Sequence, residues 1–87
     1  MYFVWDKVKS KLNKRKHGIS FELAKRVFED PCLLSWMDNR FDDYQEERWI
    51  TLGCIDGLTI IIVIHTFRSN DDGQEIVRIA ENRKSVV

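Results

Sequence analysis

Residues 47–67 read Glu-Arg-Trp-Ile-Thr-Leu-Gly-Cys-Ile-Asp-Gly-Leu-Thr-Ile-Ile-Ile-Val-Ile-His-Thr-Phe, two β-branched, apolar runs on either side of Asp56-Gly57. Asp-Gly suits a two-residue type I′ turn, because both central positions of that turn need positive φ. The pattern predicts a β-hairpin formed by Glu47 to Ile55 and Leu58 to Phe67. With Ile55 paired to Leu58, Leu52 faces Ile61, Ile50 faces Val63, and Arg48 faces His65 at the end away from the turn. The second run is almost unbroken Ile and Val, so it reads as a central strand covered on both faces, interrupted only by His65.

Upstream, Tyr2-Phe3-Val4-Trp5 suits a short strand and Asp6 stands as the N-cap of a helix. Trp5, Val8 and Leu12 fall on one face of that helix, lysines and Arg15 cover the remainder, and Gly18 supplies a left-handed end. Ser20 caps a second helix whose Phe21, Ala24, Val27 and Phe28 form an apolar stripe, ended by Asp30-Pro31. Cys32 to Met37 and Glu75 to Ala80 read as further strands. Helices before strands indicate an α+β fold: a short N-terminal strand, a two-helix hairpin, then a four-stranded antiparallel sheet. No repeat, linker or low-complexity stretch divides residues 1–87, so one domain is expected.

The chain carries 14 Lys+Arg against 14 Asp+Glu, unevenly spread. Residues 1–30 hold eight basic and four acidic side chains, residues 31–56 two and six, and residues 57–87 four and four. A basic first third suits phosphates and an acidic middle suits a basic partner, while a solvated surface is the ordinary meaning of mixed charge. No apolar run approaches the ~20 residues that span a bilayer, and Cys32 and Cys54 lack metal spacing or the density of a secreted disulfide scaffold. A cytoplasmic protein away from membranes is expected.

Gly18, Gly53, Gly57 and Gly73 are scattered, which excludes a P-loop and a dinucleotide fingerprint. His17 and His65 lie far apart, without zinc-ligand spacing. Asp42, Asp43, Glu46 and Glu47 have the composition of a magnesium site, but an exposed acidic loop is the commoner meaning. What remains is a cationic set: Lys16, His17, Arg48, His65, Arg78, Arg83 and Lys84. It suits metal-free cleavage of RNA, in which the 2′-hydroxyl attacks the neighbouring phosphate and the site supplies a proton acceptor and positive charge for the phosphorane. Each member also has an ordinary structural role: Lys16 and His17 at a helix C-terminus, Arg48 and His65 as a strand-end pair, Arg78 as an outward strand residue, and Arg83 and Lys84 in a solvated tail; Trp5, Trp36 and Trp49 likewise suit a core or an interface better than base stacking.

Together the residues resemble the BrnT-type ribonuclease toxins of bacterial type II toxin–antitoxin systems. Phe3-Val4-Trp5-Asp6 resembles the family's F-x-W-D start, and Lys14-Arg15-Lys16-His17-Gly18-Ile19-Ser20-Phe21 its K-H-G core. Ala24, Val27-Phe28 and Asp30-Pro31 follow in order, as do Glu47-Arg48 with Gly53, His65-Thr66, Arg68, Arg78-Ile79 and Arg83-Lys84. The resemblance implies a RelE-like fold and metal-independent endoribonuclease activity, without a cofactor, that halts translation. It also implies a BrnA-type antitoxin carrying a ribbon-helix-helix part, with operator DNA contacted only through that complex. By position, Arg48, Arg78 and Arg83 are candidates for transition-state charge and His65 for proton transfer; Lys14, Lys16, His17, Arg68 and Lys84 are candidates for RNA contact. Here Arg83-Lys84 is followed only by Ser85-Val86-Val87, where family members continue through a basic segment. Fewer phosphate contacts mean weaker RNA affinity. The competing expectation is a weakened or inactive homologue serving as a protein-binding subunit or RNA-binding module.

Overall fold

The computed structural model describes residues 1–41 and 46–85. Its elements are β1 (Tyr2–Val4), α1 (Lys7–His17), α2 (Phe21–Val27), β2 (Leu34–Phe41), β3 (Glu47–Ile55), β4 (Thr59–Ser69) and β5 (Glu75–Lys84). They form one sheet in the order β1-β5-β4-β3-β2. The expected α+β order holds, but the sheet has five strands and is mixed. β1 joins it parallel to β5, with Phe3 beside Val77, while the other pairs are antiparallel. The short first strand thus satisfies backbone groups that β5 would otherwise present as an open edge. β2 starts and ends later than expected, and β5 runs on to Lys84 because its pairing with β4 continues to Ile61.

The helices begin and end largely as their sequence dictates. Asp6 caps α1 by accepting the Val8 and Lys9 N–H groups at 2.8 and 3.3 Å, and Gly18 ends it at φ 81°. In α2 the stripe of Phe21, Ala24 and Val27 is fully buried.

The expected face of α1 is corrected: Val8 and Leu12 are 65% and 54% exposed, and Ser10 and Asn13 are the buried positions. Polar groups won because the backbone between the helices needs partners under cover. Ser10 Oγ accepts the Phe21 N–H at 3.0 Å, and Asn13 Nδ2 donates to the carbonyls of Ile19 and Asn82 at 2.9 and 2.8 Å. Asn13 also bonds the Asn82 side chain, and Asn82 Nδ2 donates to the Ser20 carbonyl.

The hairpin register is also corrected. Asp56 and Gly57 both take positive φ, 49° and 76°, and the Leu58 N–H donates to the Ile55 carbonyl at 3.3 Å. The ladder, however, resumes at Ile55 opposite Thr59, which leaves Leu58 in the loop and 91% exposed. Every partner moves by one residue: Leu52 faces Ile62, Ile50 faces Ile64, Arg48 faces Thr66, and Trp49 faces His65. Arg48 and His65 therefore lie on opposite faces of the sheet.

Both helices pack on one face, over a core of Ile19, Phe21, Ala24, Val27, Ile55, Ile61, Val63, Val77 and Ile79. A Cβ at Gly53 would lie 2.7 Å from Val27 Cγ1 and 3.0 Å from its carbonyl oxygen, so glycine lets α2 rest directly on β3. Asp30 secures the same junction by accepting the Cys54 and Cys32 N–H groups at 2.8 and 2.9 Å. The Cys54 bond first, then the Cys32 bond, holds its carboxyl below the usual range.

β4 is central but covered on one face, not both. Its Ile60, Ile62 and Ile64 are half-buried on the other face, where Leu34 and Trp36 of β2 are exposed. No helix lies over that face among the described residues.

Candidate functional site

The helix-free face carries a polar row that crosses four strands: Asp38 of β2, Arg48 of β3, Thr66 of β4 and Arg78 of β5 stand opposite one another in turn. With strands ~4.8 Å apart, the two arginines rise from positions about 10 Å apart, a span their long side chains can bridge. Arg48 Nε lies 3.9 Å from Asp38 Oδ2, and Arg78 Nη2 lies 3.3 Å from Glu46 Oε2. About three quarters of each arginine side chain is covered. Between them Thr66 is 1% exposed, and neither its hydroxyl nor Arg48 Nε has a hydrogen-bond partner among the described residues. Asp38 also binds Arg40 through Nε and Nη2, the latter at 3.0 Å, and that bond chiefly holds its carboxyl below the usual range. Arg68, two residues beyond Thr66, is exposed on the same face.

His65 lies beneath the helices. Its ring is edge-on to Phe28 and Phe67 at 5.1 and 4.7 Å between centroids. Nε2 is 2.6 Å from Thr51 Oγ1, which is 2.6 Å from Ser35 Oγ, and Nδ1 is 3.5 Å from the Thr66 carbonyl. A carbonyl only accepts, so Nδ1 carries the proton of the neutral ring, Thr51 donates to Nε2, and Ser35 donates to Thr51. Burial pushes the imidazole down to about 4.

A second basic group lies at the far end of β5, where only Arg83 shares the open face. Lys16, His17, Ile62, Arg83, Lys84 and Ser85 line a groove of about 540 Å³ where the end of α1 meets the end of β5. His17 Nε2 is 3.3 Å from Glu81 Oε1. Arg83 lies five positions beyond Arg78 in β5, about 16 Å of strand. Lys14 stands apart from both groups, in a groove lined by Phe3, Trp5, Lys7, Lys11 and Glu22. The structure thus brings Arg48, Arg78 and Arg68 together, gathers Lys16, His17, Arg83 and Lys84 separately, and sends His65 and Lys14 elsewhere. Asp42 and Asp43 of the magnesium expectation lie outside the described residues.

A family model described as the ribonuclease toxin, BrnT, of type II toxin–antitoxin systems matches residues 5–85. The chain belongs to the BrnT family. It is similar over its whole length to the Brucella abortus ribonuclease toxin BrnT, known from a crystal structure at 1.1 Å resolution. That likeness has 28% identity and a TM-score of 0.69, and covers 100% of this chain and 99% of the other. A comparison with curated proteins gave no match.

As a member of the BrnT family, a set of toxins in two-component systems, the chain has an antitoxin as its implied partner. No helix among the described residues is long and apolar enough to cross a membrane. The residues on which the family resemblance was read divide in two. Gly18, Phe21, Asp30, Gly53 and His65 end a helix, fill the core, clamp a junction, permit close packing and anchor the covered face. Arg48, Arg78, Arg83, Lys16 and His17 carry charge on or beside the open face. Sequence reasoning passed over Asp38 and took Glu46 only as part of an acidic loop or magnesium site. Thr66 was visible within His65-Thr66, but only the true register shows that the hydroxyl, rather than the imidazole, shares a face with the arginines.

Proposed function

We propose that this BrnT-family protein is a single-domain, metal-independent endoribonuclease that acts in the cytoplasm to inhibit translation. A BrnA-type antitoxin with a ribbon-helix-helix DNA-binding part restrains it, and operator DNA is contacted through that complex. The row of Arg48, Thr66 and Arg78, on the face that no described helix covers, carries the reading. Two guanidiniums flanking a hydroxyl match a phosphodiester: their planar forks grip non-bridging oxygens, and their fixed charge favours the phosphorane over the ground state. Arg83, Lys84, Lys16 and His17 hold the strand further along, and Arg68 adds charge beside the row. His65 is the anchor of the covered face in this reading and carries no proton for the reaction. Kinship with RelE-like toxins fits the helical hairpin packed on one side of the sheet.

The apolar patch beside the polar row, formed by Trp36, Ile50 and Ile64 and continued by Leu34, Leu52 and Ile62 level with Arg83, is the surface we assign to the antitoxin; a partner seated there adjoins both basic groups. The experiment is incubation of purified protein with RNA in the presence of a chelator. We expect fragments ending in 2′,3′-cyclic phosphate and 5′-hydroxyl, suppressed by the antitoxin. Intact RNA under all conditions overturns the reading. A second reading, an inactive RNA-binding homologue, draws on the carboxylates Asp38, Glu46 and Glu81 facing the cations; salt-sensitive RNA retention without cleavage is its signature.

A further inference from the structure

Cleavage through the 2′-hydroxyl needs a proton acceptor within reach of the groups that hold the phosphate. We propose that Glu46 is that acceptor, an assignment that rests on the ribonuclease reading above. Glu46 precedes β3 and stands two residues before Arg48, so the extended chain turns both toward the open face. Its carboxylate touches Arg78 at 3.3 Å and keeps 28% of its side-chain surface open to solvent. It therefore adjoins the row of Arg48, Thr66 and Arg78 and remains reachable by substrate.

Three other ionisable groups among the described residues are committed or misplaced. His65 is wholly buried on the opposite face, with both ring nitrogens directed at Thr51 and Thr66. His17 faces Glu81 at the far end of β5. Asp38 is bound by the fork of Arg40 and is only 13% exposed.

The step balances without a further reactant. The O2′–H proton passes to the Glu46 carboxylate as the O2′–P bond forms. Arg48 and Arg78 neutralise the equatorial oxygens, the P–O5′ bond breaks, and O5′ takes a proton from solvent water. The products are a 2′,3′-cyclic phosphate and a 5′-hydroxyl, and protonated Glu46 returns its proton to solvent. In the free protein Arg78 pairs with Glu46; an arriving phosphate competes for the same guanidinium and loosens the carboxylate at the place where the proton must go.

The test is Glu46→Gln, which keeps the shape and removes the base. We expect kcat to fall at least ~100-fold with KM unchanged or lower, and the acidic limb of the pH–rate profile to disappear. Affinity for a 2′-deoxy oligonucleotide, which lacks the nucleophile, should hold or improve because a negative charge beside the phosphate is gone. A variant that cleaves within threefold of the unaltered protein overturns the assignment and leaves the ribonuclease reading standing. Loss of oligonucleotide binding in parallel with kcat also overturns it, by making Glu46 a structural support for Arg78. Absence of cleavage by the unaltered protein removes both.

Discussion

Arg48 and Trp49 are neighbours in the chain, as are His65 and Thr66, yet the sheet divides each pair between two unlike surroundings. On the helix side Trp49, His65 and Phe67 pack with Phe28 into an aromatic cluster, and the imidazole is spent on hydrogen bonds to Thr51 and Thr66. On the open side Arg48 and Arg78 flank Thr66, and each lies against a carboxylate, Asp38 and Glu46 respectively. The contrast teaches that the ionisable residue most suggestive in the sequence is buried beneath the helices, while the arginines stand on the face that no described helix covers. Residue type alone does not separate these roles; strand parity does.

The largest effect expected from this contrast is on turnover. Arg48→Ala should lower RNA cleavage about 100- to 1,000-fold, the scale for removing one fixed donor from a developing anion. Its stability should change little, because Asp38 retains Arg40. His65→Phe keeps an aromatic ring in the cluster and should leave the rate per folded molecule within a few-fold. Cleavage assays normalised by folded fraction decide the matter: greater loss at position 65 than at 48 would break the division of labour between the two faces.

The same histidine makes the next prediction, on stability. Its folded value of about 4 lies below the ordinary 6.5, so between those limits the unfolded chain binds the extra proton. Stability is then fully present above about pH 6.5 and is lost as the pH falls toward 4, by up to ~3 kcal/mol. Urea unfolding across this range should show the slope, and His65→Phe should flatten it. At neutral pH that variant should cost ~1–3 kcal/mol, because the Thr51 hydroxyl loses its acceptor.

Much of the architecture was legible for local reasons. Asp6, Gly18 and the Phe21-Ala24-Val27 stripe act within a few residues of themselves, so their sequence context suffices. The register was not, because it turned on whether Leu58 joins a strand or the loop, and one residue there reassigns every partner along the hairpin. The α1 face was misread because periodicity counts apolar residues, whereas buried backbone carbonyls at Ile19 and Asn82 demanded Asn13. The candidate site inherited the register error: Arg48 and Arg78 were singled out, but the group between them was not.

Gly53 sharpens the distinction between architecture and chemistry. Gly53→Ala forces a methyl to within 2.7 Å of Val27 Cγ1, beside that residue's backbone carbonyl. The cost should be ~1–3 kcal/mol, typical of overpacking, read as a lower midpoint of chemical unfolding. Cleavage per folded molecule should be unchanged, since Arg48 lies on the opposite face.

The smallest effect separates two lysines on one helix. Lys16 lines the groove with Arg83 and Lys84, whereas Lys14 lines the groove beside Phe3 and Trp5. If RNA runs along the open face, only Lys16 neutralises a phosphate and releases counterions. Each such contact contributes about 0.7 to the slope of log affinity against log salt for a single strand. Titrating a 2′-deoxy oligonucleotide at several salt concentrations should therefore show Lys16→Ala reducing the slope by about that amount, with Lys14→Ala leaving it unchanged. The opposite pattern would carry the strand over the helix side, past the residues that build the core, and would leave Arg48 and Arg78 with nothing to grip.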